Sequence, residues 1–315
     1  MSEFMKTLFS SFVEDEYTEK TANNHINALK NLNGKKPFDS LDFLGNKELV
    51  DERLSKYALS TQTSTLNSAI AALRPHKKDA TLGPLYTHYK KCYDEKVATR
   101  KADTATHEPS EKQKEAYIPW ADVLKKAEEL WDGVKATKGT RVLPSVYDSL
   151  LNAMLLGLYT DLEPRRNQDY SQMFVVKKWN DTLPKDKNYI DLETHRFVFN
   201  KYKTAKNYGE QVIAIPDSLL VKVLLYLKHH PTWKGQKKNS KELVPFLVNH
   251  NGEHLAGDNC ITRLLNNIFE KNIGATMIRH IFLSEKHGDK IVEMQSTANA
   301  MAHTPGVALD YVKKF

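Results

Sequence analysis

The chain has 315 residues, enough for two domains of ordinary size. Hydrophobic residues make up 40% and charged residues 27%, a balance typical of a soluble globular protein and not of a disordered one. No apolar run approaches the length of a membrane span, and only Cys92 and Cys260 are cysteines, which argues against a disulfide scaffold and a cysteine-rich zinc site. We expect no signal peptide, because acidic residues at 14–16 lie where a cleavage site would be, and we expect a reducing, intracellular compartment.

The net charge of +7 is unevenly distributed along the chain. Residues 1–110 carry 16 Lys+Arg against 15 Asp+Glu, whereas residues 111–315 carry 30 against 24, so +6 of the +7 lies in the second segment. A basic balance suits a polyanionic partner such as nucleic acid. The alternative is a solvated surface that is rich in lysine.

The first hundred residues contain four segments with apolar residues in helical spacing. They predict four short helices that pack as a small bundle, at 18–32, 47–57, 63–73 and 85–100. Residues 101–118 are polar and have no apolar period, which predicts a linker.

The second part of the chain combines helical segments with a few short apolar runs. Helices are predicted at 120–134, 145–158, 217–229, 259–271, 276–286 and 290–302. Strands are predicted at 173–176, 189–192, 197–202 and 212–215. The fold class expected is therefore mainly α with one small antiparallel sheet.

Four segments of the second part carry side chains suited to phosphodiester chemistry. Breaking such a bond without a metal requires cationic donors for the nonbridging oxygens, an in-line nucleophile and an acid for the departing oxygen. Arginine suits the first task because its planar fork matches two oxygens and stays charged.

The first two segments hold a doubled arginine and a pair of lysines. Arg165 and Arg166 follow Pro164, which ends an apolar helix, and Asp169 comes three residues after Arg166. The alternative for this segment is a helix end with surface arginines. Lys203 and Lys206 lie at the tip of a predicted β-hairpin, where the alternative is a solubilising turn.

The other two segments lie near the C-terminus. Arg279 and His280 interrupt an apolar helix, and a buried arginine is costly unless it meets an anion or a carboxylate. The alternative there is a buried ion pair. His303 precedes a Pro-Gly turn and Tyr311 follows it, and the alternative for this tyrosine is a packing role.

The order of these residues resembles that of the tyrosine recombinase (phage-integrase) family. The shared layout is Arg, then Lys on a hairpin, then Arg-His on a helix, then His-Thr, then Tyr near the C-terminus. The segments PRRNQDYSQM and FNKYKTAKNYGEQ most resemble the branch found in large DNA viruses and their satellite elements. The resemblance covers nearly the whole chain and implies a helical core-binding (SAM-like) DNA-binding domain over 1–100, a linker over 101–118 and an α+β catalytic domain of the DNA breaking-rejoining type over 119–315.

The resemblance implies roles for residues of the first two segments. Arg166, paired with Asp169, corresponds to the first catalytic arginine, and Arg165 is a substitute because the doubled arginine leaves the register open. Lys203 corresponds to the catalytic lysine, with Lys206 as the alternative.

The resemblance also implies roles near the C-terminus. Arg279 is the second arginine, His303 the third-box histidine and Tyr311 the nucleophile. Thr276 stands where the family usually has His or Lys, so either its hydroxyl makes a weaker phosphate contact or His280 acts instead.

The implied activity is metal- and ATP-independent DNA strand transfer, with no cofactor, through a 3′-phosphotyrosine. It would serve site-specific recombination such as viral genome integration, on double-stranded DNA, by a homotetramer that holds two sites. A type IB topoisomerase shares the chemistry and remains an alternative, as does a DNA-binding relative that has lost catalysis. A zinc protein built on the twelve histidines is disfavoured, because no pair has ligand spacing with a partner set.

Overall fold

The computed structural model describes residues 2–105, 108–139, 141–233, 242–257, 259–302 and 306. Within these residues the chain is mainly helical, with thirteen α-helices and a five-stranded sheet. It separates into two compact units, Met1–Pro109 and Ser110–Phe315. No described helix has the length and apolarity that crossing a bilayer requires.

Unit 1 is a helical bundle around a single apolar core. Its helices are α1 (Glu3–Glu14), α2 (Glu19–Leu32), α3 (Lys47–Ser55), α4 (Leu59–Leu73) and α5 (Leu82–Ala105). Four of them match the predicted helices, and α1 is additional. The Ser2 hydroxyl caps α1 by accepting a hydrogen bond from the Met5 amide, and Met5 and Phe12 are buried in the core.

The segment predicted as a linker contains helical structure. Helix α5 extends to Ala105, and α6 (Glu111–Ala116) follows after the boundary between the units. Ser110 and Gln113 form a reciprocal capping box at the start of α6. The apolar period was too weak to predict this helix, because Ala116 is its only buried residue.

Unit 2 holds the remaining helices. They are α7 (Trp120–Val134), α8 (Pro144–Thr160), α9 (Asn167–Ser171), α10 (Ala205–Tyr208), α11 (Asp217–His229), α12 (Cys260–Phe269) and α13 (Ala275–Ala300). The prediction of two helices at 276–286 and 290–302 was wrong, because α13 is continuous through Gly288. A glycine inside a helix costs only about 1 kcal/mol relative to alanine, which does not suffice to end it.

The sheet of unit 2 is mixed, so the prediction of an antiparallel sheet was wrong for one pair of strands. The strands are β1 (Met173–Val176), β2 (Asn188–Asp191), β3 (Arg196–Phe199), β4 (Gln211–Ala214) and β5 (Val244–Pro245), in the order β4-β3-β2-β1-β5. Strands β1 and β2 are parallel, and the other neighbours are antiparallel. The connection 177–187 returns the chain to the starting end of β1, and apolar alternation does not encode that direction.

Helix α8 is the central element of unit 2. Ten of its residues are buried, and α7 and α11 pack against it. Such a helix is apolar on almost all sides, as expected for an element enclosed by others. Its C-terminal end at Thr160 leads directly into the loop that carries Arg165 and Arg166. The position of that loop is therefore fixed by the core.

Candidate functional site

Arg165 is held by hydrogen bonds and by contacts with aromatic rings. Its Nε donates to Asp169 Oδ2 at 2.9 Å, and its Nη1 donates to Gln211 Oε1 at 2.9 Å. The guanidinium lies over the Phe199 ring, 3.9 Å from the centroid. Arg165 therefore ties α9 to the start of β4 and the end of β3. The expected pairing of Arg166 with Asp169 was wrong, and the ion-pair partner is Arg165, which the sequence left open as the alternative.

Asp169 is the buried anion of this arrangement. Its side chain is 3% exposed, and Oδ1 has no hydrogen-bond partner among the described residues. Burial raises the pKa of the Asp169 carboxyl above its ordinary value, against the opposing effect of the Arg165 guanidinium. The positive charges of Arg166 and Arg279 also favour its ionised form, which places all three arginines within electrostatic range of one carboxylate.

Arg166 lies beside Arg165 in sequence but has different surroundings. It is the residue before α9, with extended backbone (φ −78°, ψ 151°), and it is half-buried. Within the part of the chain that the structure describes, its guanidinium forms no hydrogen bond and no ion pair. Arg166 therefore keeps its donors available for an external acceptor.

Arg279 is the second arginine with open donor capacity. It lies in the first turns of α13, and its Nη2 donates to Thr276 Oγ1 at 3.2 Å. Its Nε is buried and has no hydrogen-bond partner among the described residues. Burial lowers the pKa of the Arg279 guanidinium, and the charge of Arg166 lowers it further, so the two guanidinium groups repel each other.

We refer to Arg166 and Arg279 together as the arginine pair. The sequence left open that Arg279 forms a buried ion pair with a carboxylate, and the part of the chain that the structure describes does not show one. Neither member forms an ion pair with a carboxylate in the described ranges. Thr276 orients one of the guanidinium groups through its hydroxyl, a role that its spacing alone did not predict. His280, the next residue along α13, is exposed.

A hydrogen-bonded chain through Asn167, the residue after Arg166, was not predicted from the sequence. The hydroxyl of Tyr159 donates to Asn167 Oδ1 at 3.1 Å, and Asn167 Nδ2 donates to Thr262 Oγ1 at 2.8 Å. This chain links α8, α9 and α12. Burial raises the pKa of the Tyr159 hydroxyl well above its ordinary value, so it remains a neutral hydrogen-bond donor.

The predicted lysine hairpin is present and is attached to the loop of Arg165. Strands β3 and β4 pair antiparallel, and residues 200–210 connect them through α10. Lys203 and Lys206 are both exposed on this connection. The guanidinium of Arg165 lies 5.4 Å from the ring centroid of Tyr202, the residue before Lys203. The first two predicted segments are therefore neighbours in the fold.

The two remaining predicted site residues, His303 and Tyr311, lie outside the described residues. Among the residues described, no three His, Cys, Asp or Glu side chains are grouped so as to hold a metal ion. Comparison of the chain with protein-family models, with curated proteins and with solved structures gives no significant match. The chemistry that the site suggests is the binding of an oxyanion such as a phosphate group between two guanidinium groups.

Proposed function

We propose that the chain is a tyrosine recombinase, which cleaves and rejoins DNA strands through a 3′-phosphotyrosine at Tyr311. The observation that carries the proposal is the arginine pair. Arg166 and Arg279 come from separate elements, repel each other and have no carboxylate partner in the described ranges. Such a pair is stabilised by an anion that accepts hydrogen bonds from both groups.

The partial burial of both guanidinium groups favours a specific anion over solvation by water alone. Removing a charged group from water without an acceptor is costly, and an oxyanion that accepts hydrogen bonds from both guanidinium groups would offset that cost. A phosphodiester has two nonbridging oxygens and one negative charge, which suits two guanidinium groups within electrostatic range of each other. The net positive charge of residues 111–315 is in keeping with a nucleic-acid ligand.

The proposed reaction uses these residues in successive steps. Arg166 and Arg279 donate to the nonbridging oxygens of the scissile phosphate. The Tyr311 oxygen attacks phosphorus, the bond from phosphorus to the 5′ oxygen breaks, and Lys203 donates a proton to that oxygen. His303 hydrogen-bonds a nonbridging oxygen or accepts the tyrosine proton. A 5′-hydroxyl from the partner strand then displaces Tyr311, so the number of phosphodiester bonds is conserved.

The same proposal assigns unit 1 to DNA binding as the core-binding domain. Contacts with the phosphate backbone would make the affinity depend strongly on salt. Recombination also requires two DNA sites to be held together, for which we propose a homotetramer.

The decisive experiment traps the covalent intermediate. Purified protein is incubated with a pool of nicked duplexes of randomised sequence, in which cleavage releases a short 5′-hydroxyl fragment that diffuses away. We expect a DNA adduct that survives denaturation and maps by mass spectrometry to the peptide containing Tyr311. Tyr311→Phe should abolish the adduct, whereas Tyr117→Phe, which removes a hydroxyl from an exposed tyrosine, should leave it unchanged.

Other outcomes separate the alternative functions. Relaxation of supercoiled DNA without strand exchange between two recovered sites would indicate a type IB topoisomerase. DNA binding without any adduct would indicate a binding protein that lacks catalysis and would contradict the proposal.

A further inference from the structure

Asn188 has no role in the proposed chemistry, yet its amide is buried and fully hydrogen-bonded. It is the first residue of β2 and is 1% exposed. Its Nδ2 donates to the carbonyl of Asp169 at 2.9 Å and to that of Lys201 at 2.8 Å. Its Oδ1 accepts from the backbone amides of Asn200 at 3.0 Å and Lys201 at 2.8 Å.

These four bonds use the full capacity of the amide, which has two donors and two acceptor positions. Burying an amide is costly unless its groups are paired, and β2 continues with the buried apolar residues Tyr189 and Ile190. An apolar side chain at position 188 would also leave the four backbone groups without these partners. An asparagine at position 188 is therefore explained by the four backbone groups that its amide holds together.

The two segments joined by Asn188 are those that carry the proposed catalytic cations. Asp169 lies three residues after Arg166, and Lys201 lies two residues before Lys203. Asn200 contributes a further restraint, because its Nδ2 donates to the Lys187 carbonyl at 3.0 Å. The turn that presents Lys203 is therefore bound to the element that follows Arg166.

We propose that Asn188 is a positioning residue, which holds the turn bearing the general acid Lys203 in register with the phosphate-binding Arg166. The inference rests on the proposed function. It follows that a change at Asn188 should impair protonation of the leaving oxygen more than it impairs attack by Tyr311.

The test uses two suicide substrates that differ only at the leaving atom. One has the natural 5′ oxygen, and the other has a 5′-bridging sulfur, which leaves as a thiolate. Because a thiol has a pKa of about 8.5, the sulfur departs as a thiolate without a proton donor. A defect in general-acid catalysis is therefore corrected by the sulfur substrate, whereas a defect in folding or phosphate binding persists.

Asn188→Asp is the most informative variant, because it keeps both acceptor positions and loses both donors. We expect cleavage of the oxygen substrate to slow by about 100-fold, as for loss of a general acid, and cleavage of the sulfur substrate to stay close to wild type. Lys203→Ala should give the same pattern. Asn180→Asp is the matched control, because Asn180 is exposed and uses its side-chain oxygen as an acceptor; it should cleave both substrates normally.

If Asn188→Asp does not fold, Asn188→Ser is assayed in the same way, because its hydroxyl keeps one donor and one acceptor. Equal losses on both substrates, or no loss on either, would overturn the positioning role while leaving the proposed function intact. Failure of the wild-type chain to form an adduct with either substrate would reject the proposed function, and the positioning role with it.

Discussion

Arg165 and Arg166 are adjacent in the chain, but their guanidinium groups have opposite surroundings. Arg165 has a carboxylate, an amide oxygen and an aromatic ring around its guanidinium. Arg166 has no such partner among the described residues, and its charge both favours the ionised form of Asp169 and repels Arg279. One arginine is thus part of the framework, and its neighbour is left available for a ligand.

Arg166 also differs from other buried or partly buried charges of unit 2, which have partners. Lys222 donates to Asp161 at 2.6 Å, with side chains 9% and 15% exposed. Arg196 pairs with the buried Asp191 at 3.3 Å. An unpaired, partly buried arginine therefore departs from the local pattern, and such departures are common where a ligand supplies the missing partner.

The largest expected effect is the loss of stability in Arg165→Ala. Removing one member of a buried pair leaves Asp169 without its cation, which we expect to lower the free energy of unfolding of unit 2 by about 3 kcal/mol. All four tryptophans lie in unit 2, so tryptophan fluorescence during urea denaturation reports on this unit alone. A deficit below about 1 kcal/mol, the range of exposed pairs, would contradict a framework role for Arg165.

The loss of free energy of unfolding in Arg165→Ala should also depend on pH. Burial already raises the pKa of Asp169 in the folded wild-type protein, and loss of Arg165 should raise it further. The ionised carboxylate is what destabilises the variant, so the deficit is full above this raised pKa and shrinks as the pH falls through it. Adding Asp169→Asn to Arg165→Ala removes the buried charge, so the double variant should regain stability and its remaining deficit should not depend on pH.

The second expected effect is stabilisation of the arginine pair by an anion. Inorganic pyrophosphate is a suitable probe, and at 100 times its dissociation constant a ligand raises the free energy of unfolding by about 2.7 kcal/mol. Arg166→Gln and Arg279→Gln should each abolish most of this gain at the same concentration. Arg141→Gln, which changes an exposed arginine of the same unit, should retain it. Equal gains in all the variants would indicate binding elsewhere.

The sequence predicted some elements of this fold to the residue. The bounds of α7 and α11 agree with their predicted ranges, because each has a strong apolar stripe and follows a proline that starts the helix. Strands β1 to β4 were also located within a few residues. The parallel direction of β2 and the two residues of β5 could not be predicted, since both depend on tertiary contacts.

The sequence predicted which residues belong to the candidate site, but it did not predict which arginine pairs with Asp169. The spacing between Arg166 and Asp169 is three residues, which brings side chains together only within a helix. Both arginines precede α9, so the loop backbone decides which of them reaches Asp169. Asn188 gave no sequence signal, because its four partners lie 12 to 19 residues away in the chain.

The smallest expected effect on stability is that of Arg166→Gln. Arg166→Gln removes a charge that is one residue from Arg165 but has no partner in the described residues to lose. The variant loses the repulsion between Arg166 and Arg279 and also the attraction between Arg166 and Asp169, so at low salt the free energy of unfolding should stay within about 0.5 kcal/mol of wild type. Any difference from wild type should shrink at high salt, because screening weakens both interactions. A loss comparable to that of Arg165→Ala would mean that Arg166 also belongs to the framework, and the arginine pair would no longer stand out as a ligand site.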